Sequence, residues 1–192
     1  MEITTLIANI VLSMMEYQKE NQIENRCVTN VQYLYDIMKK YSIINFKTKA
    51  VIVVSSDEDT KTLQIVSGHL IIEVDDATII DPSYDISCLK NKTYVDSIKV
   101  LLDLFTNPAE LKTVFDMKKI VTDYTKFINL SEQLNNGERI CANEHYDKQA
   151  NYIENLYSNI SIIKELRQPP SITTMESTLK NQSLLAETYL DQ

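Results

Sequence analysis

The 192-residue chain has no tryptophan and few of the residues that most often carry local chemistry. It contains two glycines, two histidines, four prolines and three cysteines. The cysteines, Cys27, Cys88 and Cys141, are odd in number and widely spaced, so neither a disulfide framework nor a CxxC zinc site is indicated. We therefore expect a reducing, cytoplasmic environment, with no bound metal and no cofactor.

The chain also lacks a basic cluster and a long uninterrupted apolar run. Its net charge is −8, and diffuse negative charge disfavours binding to polyanions. The apolar stretch from Ile3 to Met15 is interrupted by polar residues and has no preceding Lys or Arg. It therefore differs from a signal peptide and is too short to span a bilayer. We expect no nucleic-acid partner and no membrane partner.

What the chain does have is 44% hydrophobic residues, enough for a core. Apolar residues recur with a helical period over residues 2–19 and again from Cys27 to about Tyr41, which predicts two amphipathic helices. The run Ala50–Val54 is typical of a buried strand. Residues 63–66 begin another strand, which we expect Gly68 to interrupt.

The following segment predicts a β-hairpin. Leu70–Val74 and Thr78–Ile80 are β-branched apolar runs with two aspartates and an alanine between them. His69 stands at the start of the first run and Asp81 at the end of the second. Antiparallel pairing would bring these two side chains close together.

The second half of the sequence is predominantly helical in its pattern. The helical period returns from Val95, and a second helix is expected to open at Asn107-Pro108 and to stop at Gly137. A last helix is expected over about residues 143–166. Helices, then strands, then helices predict an α+β fold.

We accordingly expect three regions along the chain. Residues 1–93 would form the core that carries the site, 94–168 a helical extension packed on that core, and 169–192 a flexible tail.

Cys27, His69 and Asp81 form a candidate Cys–His–Asp site. A thiol at a helix start is stabilised as thiolate by the helix dipole and by free N–H groups. The imidazole could accept and return a proton, and the carboxylate could fix its tautomer. The Cys27 N–H, with a side-chain donor such as Gln22 or Asn25, could stabilise an oxyanion.

Other interpretations of the same residues stay open. A lone cysteine at a helix start is commonly a small buried side chain, and Asp81-Pro82-Ser83 could be an ordinary turn. Cys27, His69 and Asp81 could instead bind a metal, although that set is one ligand short. The pair Cys141 and His145 has no second pair to complete a metal site. The acidic run 57–59 is most simply a solvated turn, with a weak cation site as its alternative.

The segments around His69-x-x-x-Glu73-Val74 and Ile80-Asp81-Pro82-Ser83 resemble the His and Asp motifs of transglutaminase-like proteins in the papain-like superfamily. The order Cys, His, Asp is the same. The start of the second helix is also similar to that of NlpC/P60-type peptidases. The resemblance covers roughly residues 20–90 and implies a papain-like core, in which a Cys-bearing helix packs on a small antiparallel sheet. Arg26 and Val28 depart from the small residue and the Trp that usually flank the cysteine.

The resemblance implies cysteine-dependent acyl chemistry on the amide bonds of a peptide or protein, by a peptidase or amidase or, less favoured, an acyl transferase. The alternative is a catalytically inactive member of the fold that binds a protein partner through its C-terminal helices. In that case Tyr146, Ile153 and Tyr157 would form an exposed apolar stripe on the last helix.

Overall fold

The architecture was obtained as a computed structural model, and the structure describes residues 3–43, 45–60, 62–105 and 115–158. Within these residues ten elements follow one another: α1 (Ile3–Glu20), α2 (Cys27–Lys40), β1 (Phe46–Asp57), β2 (Thr62–Val74), β3 (Thr78–Ile80), α3 (Tyr84–Ser87), β4 (Thr93–Val95), α4 (Ile98–Asp103), α5 (Met117–Asn135) and α6 (Glu144–Leu156). Within these ranges no helix is both long enough and apolar enough to cross a membrane.

The protein is α+β, as its sequence predicts. The strands form one antiparallel sheet in the order β3-β2-β1-β4. β1 and β2 pair along their whole length, whereas β3 and β4 are three-residue edge strands. Apolar side chains of β1 and β2 pack against α1 and α2 in the larger core. Val51, Val53, Ile71 and Ile86 form a second, smaller cluster.

The α2 helix is the most buried element, because apolar and polar positions alike are enclosed by its neighbours. Ten of its residues are buried, from Cys27 at its start to Met38. The polar ones find partners: Asn30 donates to Gln18 of α1 at 3.2 Å, and Gln32 accepts from the Ile140 N–H at 2.8 Å. The helix that Cys27 begins is therefore held by α1 and by the segment around Ile140.

The expectation that Gly68 interrupts a strand is wrong. β2 continues through Gly68 from Thr62 to Val74, and the ladder shifts register instead, with Val51 opposite His69 and Val53 opposite Val66. β2 therefore has one extra residue at this point, which is a β-bulge.

The expectation of helix from Val95 is also corrected. Val95 ends β4, whose residues Thr93, Tyr94 and Val95 pair with β1. α4 begins only at Ile98, after Ser97 caps it by accepting from the Val100 N–H. The boundary expected after residue 93 thus falls inside a strand of the sheet.

The later helices are shorter than the sequence suggests. α5 begins at Met117 with Asp116 as its cap, so Phe115 precedes the helix, and Asn107-Pro108 lies outside the described residues. α5 ends before Gly137, whose φ of 85° confirms it as the stop. α6 ends at Leu156, and of the expected remainder residues 159–166 lie outside the described ones.

The helical half contributes to the core, so part of the expected partner stripe is wrong. Tyr146 and Ile153 of α6 are buried, with 4% and 0% of their surface exposed. The Tyr157 hydroxyl lies 3.1 Å from Ser13 Oγ on α1. α5 is tied to β1 where Ser131 donates to the Thr48 carbonyl at 2.8 Å. These helices therefore pack on the sheet and on α1 and α2.

Candidate active site

Three side chains from separate elements meet at one point. Cys27 is the first residue of α2, His69 lies within β2, and Asp81 directly follows β3. His69 Nε2 lies 2.8 Å from Asp81 Oδ2, and Cys27 lines the same pocket as His69 and contributes to raising the pKa of that imidazole. Because Asp81 engages Nε2, Nδ1 is the ring nitrogen left for Cys27. The structure thus brings thiol, imidazole and carboxylate together in that order.

The turn before α2 determines where Cys27 is presented. Asn25 has left-handed backbone geometry, with φ 58°, which asparagine adopts more readily than most residues. Its N–H donates to Asp85 Oδ2 at 2.9 Å and ties the turn to α3. Arg26 occupies the cap position without a side-chain capping bond. Cys27 therefore lies at the positive end of the helix dipole, beside the unpaired N–H groups of the first turn.

His69 is held in a charged form by its two acidic partners. Only 2% of its surface is exposed. Burial lowers its pKa, but the hydrogen bonds and charges of Asp81 and Cys27 outweigh burial and raise the pKa from 6.5 to about 10. The ring is therefore imidazolium at neutral pH.

Asp81 is itself oriented by two further contacts, and a third contact holds the residue that follows it. Its Oδ2 accepts from the Tyr94 hydroxyl at 2.8 Å, and its Oδ1 accepts from the Ser83 N–H at 3.0 Å. Gln18 of α1 donates to the carbonyl of the next residue, Pro82, at 2.8 Å. Burial and the Asp81 carboxylate raise the pKa of Tyr94, so that its hydroxyl remains a donor. The carboxylate consequently has little freedom to leave His69.

A pocket of about 230 Å³ opens onto the pair of Cys27 and His69. Asn25, Asp85 and Ile86 contribute to its wall, as do residues of β2 and α5. The pocket is large enough for one amino-acid side chain, but it could not enclose a drug-sized ligand. Cys27 is 9% exposed, so its accessible surface faces a restricted space.

The α5 helix forms one side of this pocket at the bulge of β2. Ser67 donates to Asp123 Oδ2 at 2.7 Å. A Cβ atom at Gly68 would lie 2.4 Å from Phe127 Cδ2 and 3.2 Å from the Asp123 carbonyl oxygen. Glycine is therefore required here by the close approach of α5 to the strand that carries His69.

The two candidate oxyanion donors differ in position. Asn25 lines the pocket beside Cys27. Gln22 is exposed, with φ 53°, and is not among the lining residues. The backbone N–H of Cys27 lies at the uncapped start of α2. The backbone of α2 and Asn25 are thus better placed than Gln22 to contact an oxygen atom at the site.

Several residues around the site are not identified by the sequence pattern. Tyr94 belongs to a three-residue strand whose only local signal is the β-favouring triplet Thr93-Tyr94-Val95. Asp85 lies four residues after Asp81, which is a weak signal. Asp123 and Gln18 are polar residues on helices, and nothing in their own segments indicates which element they contact.

The remaining candidates for metal binding take part in ordinary hydrogen bonds and ion pairs. Cys141 Sγ lies 3.2 Å from Thr29 Oγ1, and His145 Nε2 lies 3.2 Å from Asn30 Oδ1. Lys90 lies 3.8 Å from carboxylate oxygens of the acidic run 57–59. Over the part of the chain that the structure describes, no three or more His, Cys, Asp or Glu side chains are arranged to hold a metal ion. A metal-binding role for Cys27, His69 and Asp81 therefore has no geometric support there.

The arrangement Cys27, His69, Asp81 follows the order of the transglutaminase-like proteins named above. No protein-family model, no curated protein and no solved structure matches the chain. Membership of the papain-like superfamily therefore stays a prediction, carried by these three residues and their geometry.

Proposed function

We propose that the protein performs cysteine-dependent acyl chemistry on the amide bonds of a peptide or protein, as a cytoplasmic peptidase or amidase with a papain-like core. The observation that carries the proposal is the buried His69, which is hydrogen-bonded to Asp81 and lines a pocket together with Cys27. The three thiols are free, which fits a reducing compartment.

In the acylation step, the Cys27 thiolate attacks the amide carbonyl carbon and an S–C bond forms. N–H groups at the start of α2 stabilise the oxyanion. When the tetrahedral intermediate collapses, the C–N bond breaks and the His69 imidazolium gives its proton to the leaving amine. The products are a free amine, a neutral imidazole and a thioester on Cys27.

In the deacylation step, neutral His69 takes a proton from water, and the resulting hydroxide oxygen attacks the thioester carbonyl. The S–C bond breaks, releasing a carboxylic acid and restoring thiolate and imidazolium. Asp81 orients the ring in both steps and stabilises its charged form, as the third member of a catalytic triad does. An amine in place of water would give acyl transfer with the same proton movements.

The test uses p-nitrophenyl acetate as acyl donor and a panel of peptidyl coumarin amides as substrates. We expect a burst of about one nitrophenolate per chain, an acetyl group on Cys27 by mass spectrometry, and turnover of at least one amide. Cys27→Ala should abolish all three, whereas Cys88→Ala, which removes an exposed thiol, should retain them. Retained turnover in Cys27→Ala would refute the proposal. A silent panel with no acetylation of Cys27 would favour the inactive, partner-binding alternative.

A further inference from the structure

The pocket beside Cys27 and His69 has an unusual charge. Two carboxylates, Asp85 of α3 and Asp123 of α5, belong to its lining, and none of the described residues that line it is a lysine or an arginine. The Cys27 thiolate and the His69 imidazolium balance each other. The sign of the potential that a substrate meets in the pocket is therefore set by the two aspartates.

Neither carboxylate is neutralised within the described residues. Asp85 accepts from the backbone N–H groups of Asn25 and Ile86, and Asp123 accepts from the Ser67 hydroxyl. These donors are uncharged, and the ion pairs among the described residues involve other acids. Neither side chain is therefore paired with a cationic group among the described residues.

The hydrogen bonds made by the two aspartates do not require a negative charge. An asparagine oxygen at position 123 could accept from the Ser67 hydroxyl, and one at position 85 could accept from the Asn25 N–H, with loss of the bond from the Ile86 N–H. Negative charge close to a thiolate is also repulsive, so it opposes the state of Cys27 that the chemistry needs. A positively charged group bound in the pocket would remove this repulsion and would gain two favourable interactions.

We propose that the pocket selects acyl substrates with a cationic side chain, an ammonium or guanidinium group, beside the amide bond that is cleaved. This inference rests on the proposed function and specifies its substrate class. The cation lies between Asp85 and Asp123 while the carbonyl carbon faces Cys27. Substrates with an acidic side chain at that position are excluded by repulsion.

The probes are N-blocked chloromethyl ketones of lysine, norleucine and glutamate, from which the Cys27 thiolate displaces chloride. Lysine and norleucine have side chains of similar length but different charge. We expect the lysine reagent to modify Cys27 at least about tenfold faster than the norleucine reagent, and the glutamate reagent to be the slowest. The lysine preference should shrink at high salt, because the charges are partly solvated.

Charge-only variants identify the residues responsible. Asp85→Asn and Asp123→Asn should each reduce the lysine-to-norleucine rate ratio by about threefold to tenfold, and the double variant should bring the ratio close to one. Glu132→Gln is the matched control, because it removes one negative charge from the exposed surface of α5 outside the pocket. That variant should leave the ratio unchanged.

The rate of Cys27 modification by iodoacetamide, a small neutral reagent, distinguishes a failure of the cationic substrate class from a failure of the proposed function. If iodoacetamide modifies Cys27 but the lysine and norleucine reagents react equally fast, the cationic substrate class is wrong and the proposed function stands. An unchanged lysine preference in the double variant would equally overturn the assignment to these aspartates. If Cys27 is inert even to iodoacetamide, the proposed function fails and this inference fails with it.

Discussion

Replacing Asp81 by asparagine should lower the pKa of His69 from about 10 to 6.5 or below. The single amide oxygen of asparagine can accept from Tyr94 or from Ser83 but not from both. Asparagine also has no charge to hold an imidazolium, and burial of the ring then dominates. Each pKa unit corresponds to about 1.4 kcal/mol, so the substitution removes up to about 5 kcal/mol of preference for the charged ring.

The same substitution should change the pH dependence of stability in a defined direction. The pKa of His69 is higher in the folded chain than in the unfolded chain, where it is near 6.5. Its contribution to the free energy of unfolding is therefore complete below pH 6.5 and is lost as the pH rises towards 10. The stability difference between wild type and Asp81→Asn should be largest near pH 6 and smallest near pH 10.

Histidine ¹H–¹³C spectra recorded against pH provide the assay, because the chain has only two histidines. His145→Gln assigns the signals, and burial with the nearby Arg26 charge should place the pKa of His145 below 6.5. Urea unfolding at pH 6 and near pH 10 provides the stability difference. A wild-type His69 that titrates at 6.5 or below, or an Asp81→Asn variant with an unchanged His69 pKa, would refute the reasoning.

Gly68→Ala should destabilise the fold by about 1–3 kcal/mol in urea unfolding, because its Cβ would overlap the Phe127 ring. The cost should be smaller in a Phe127→Ala background, and an equal cost there would exclude this contact as the cause. Gln18→Met should cost about 3 kcal/mol, because it leaves the buried partners of Gln18 without hydrogen bonds. A loss of stability below 0.5 kcal/mol would contradict the view that Gln18 holds these segments together. Tyr94→Phe should lower stability by about 1–2 kcal/mol while it changes Cys27 alkylation less than Asp81→Asn does. The reverse order would show that Tyr94, more than Asp81, controls the site.

The parts of the fold that were predictable from sequence are those encoded locally. The spacing of apolar residues alone predicts the helices α1 and α2 and the hairpin between Leu70 and Ile80. In the structure these elements lie at nearly the expected residues. The proximity of His69 to Asp81 follows from that hairpin, because pairing of Ile72 with Ile80 brings the neighbouring positions together.

The remaining features depend on contacts between distant segments. β4 has three residues and is a strand only because Tyr94 pairs opposite Val53. The pocket wall depends on α5 approaching Gly68, and the pattern of α5 shows an apolar face without showing which strand that face meets. Asp123, on the wall, is a solvated residue by pattern alone. The residue at which a helix ends, such as Leu156 in α6, depends on tertiary packing as well as on helix propensity. The sequence pattern alone therefore overestimates the length of the later helices.

The rate of Cys27 alkylation by iodoacetamide below pH 7 is the most direct test of the claim that His69 activates this thiol. Peptide mass spectrometry follows Cys27, Cys88 and Cys141 in the same reaction. Although it is 9% exposed, Cys27 should react faster than the other two, and His69→Ala should slow its reaction about tenfold or more. Equal rates at the three thiols, or a Cys27 rate that is unchanged in His69→Ala, would contradict the account.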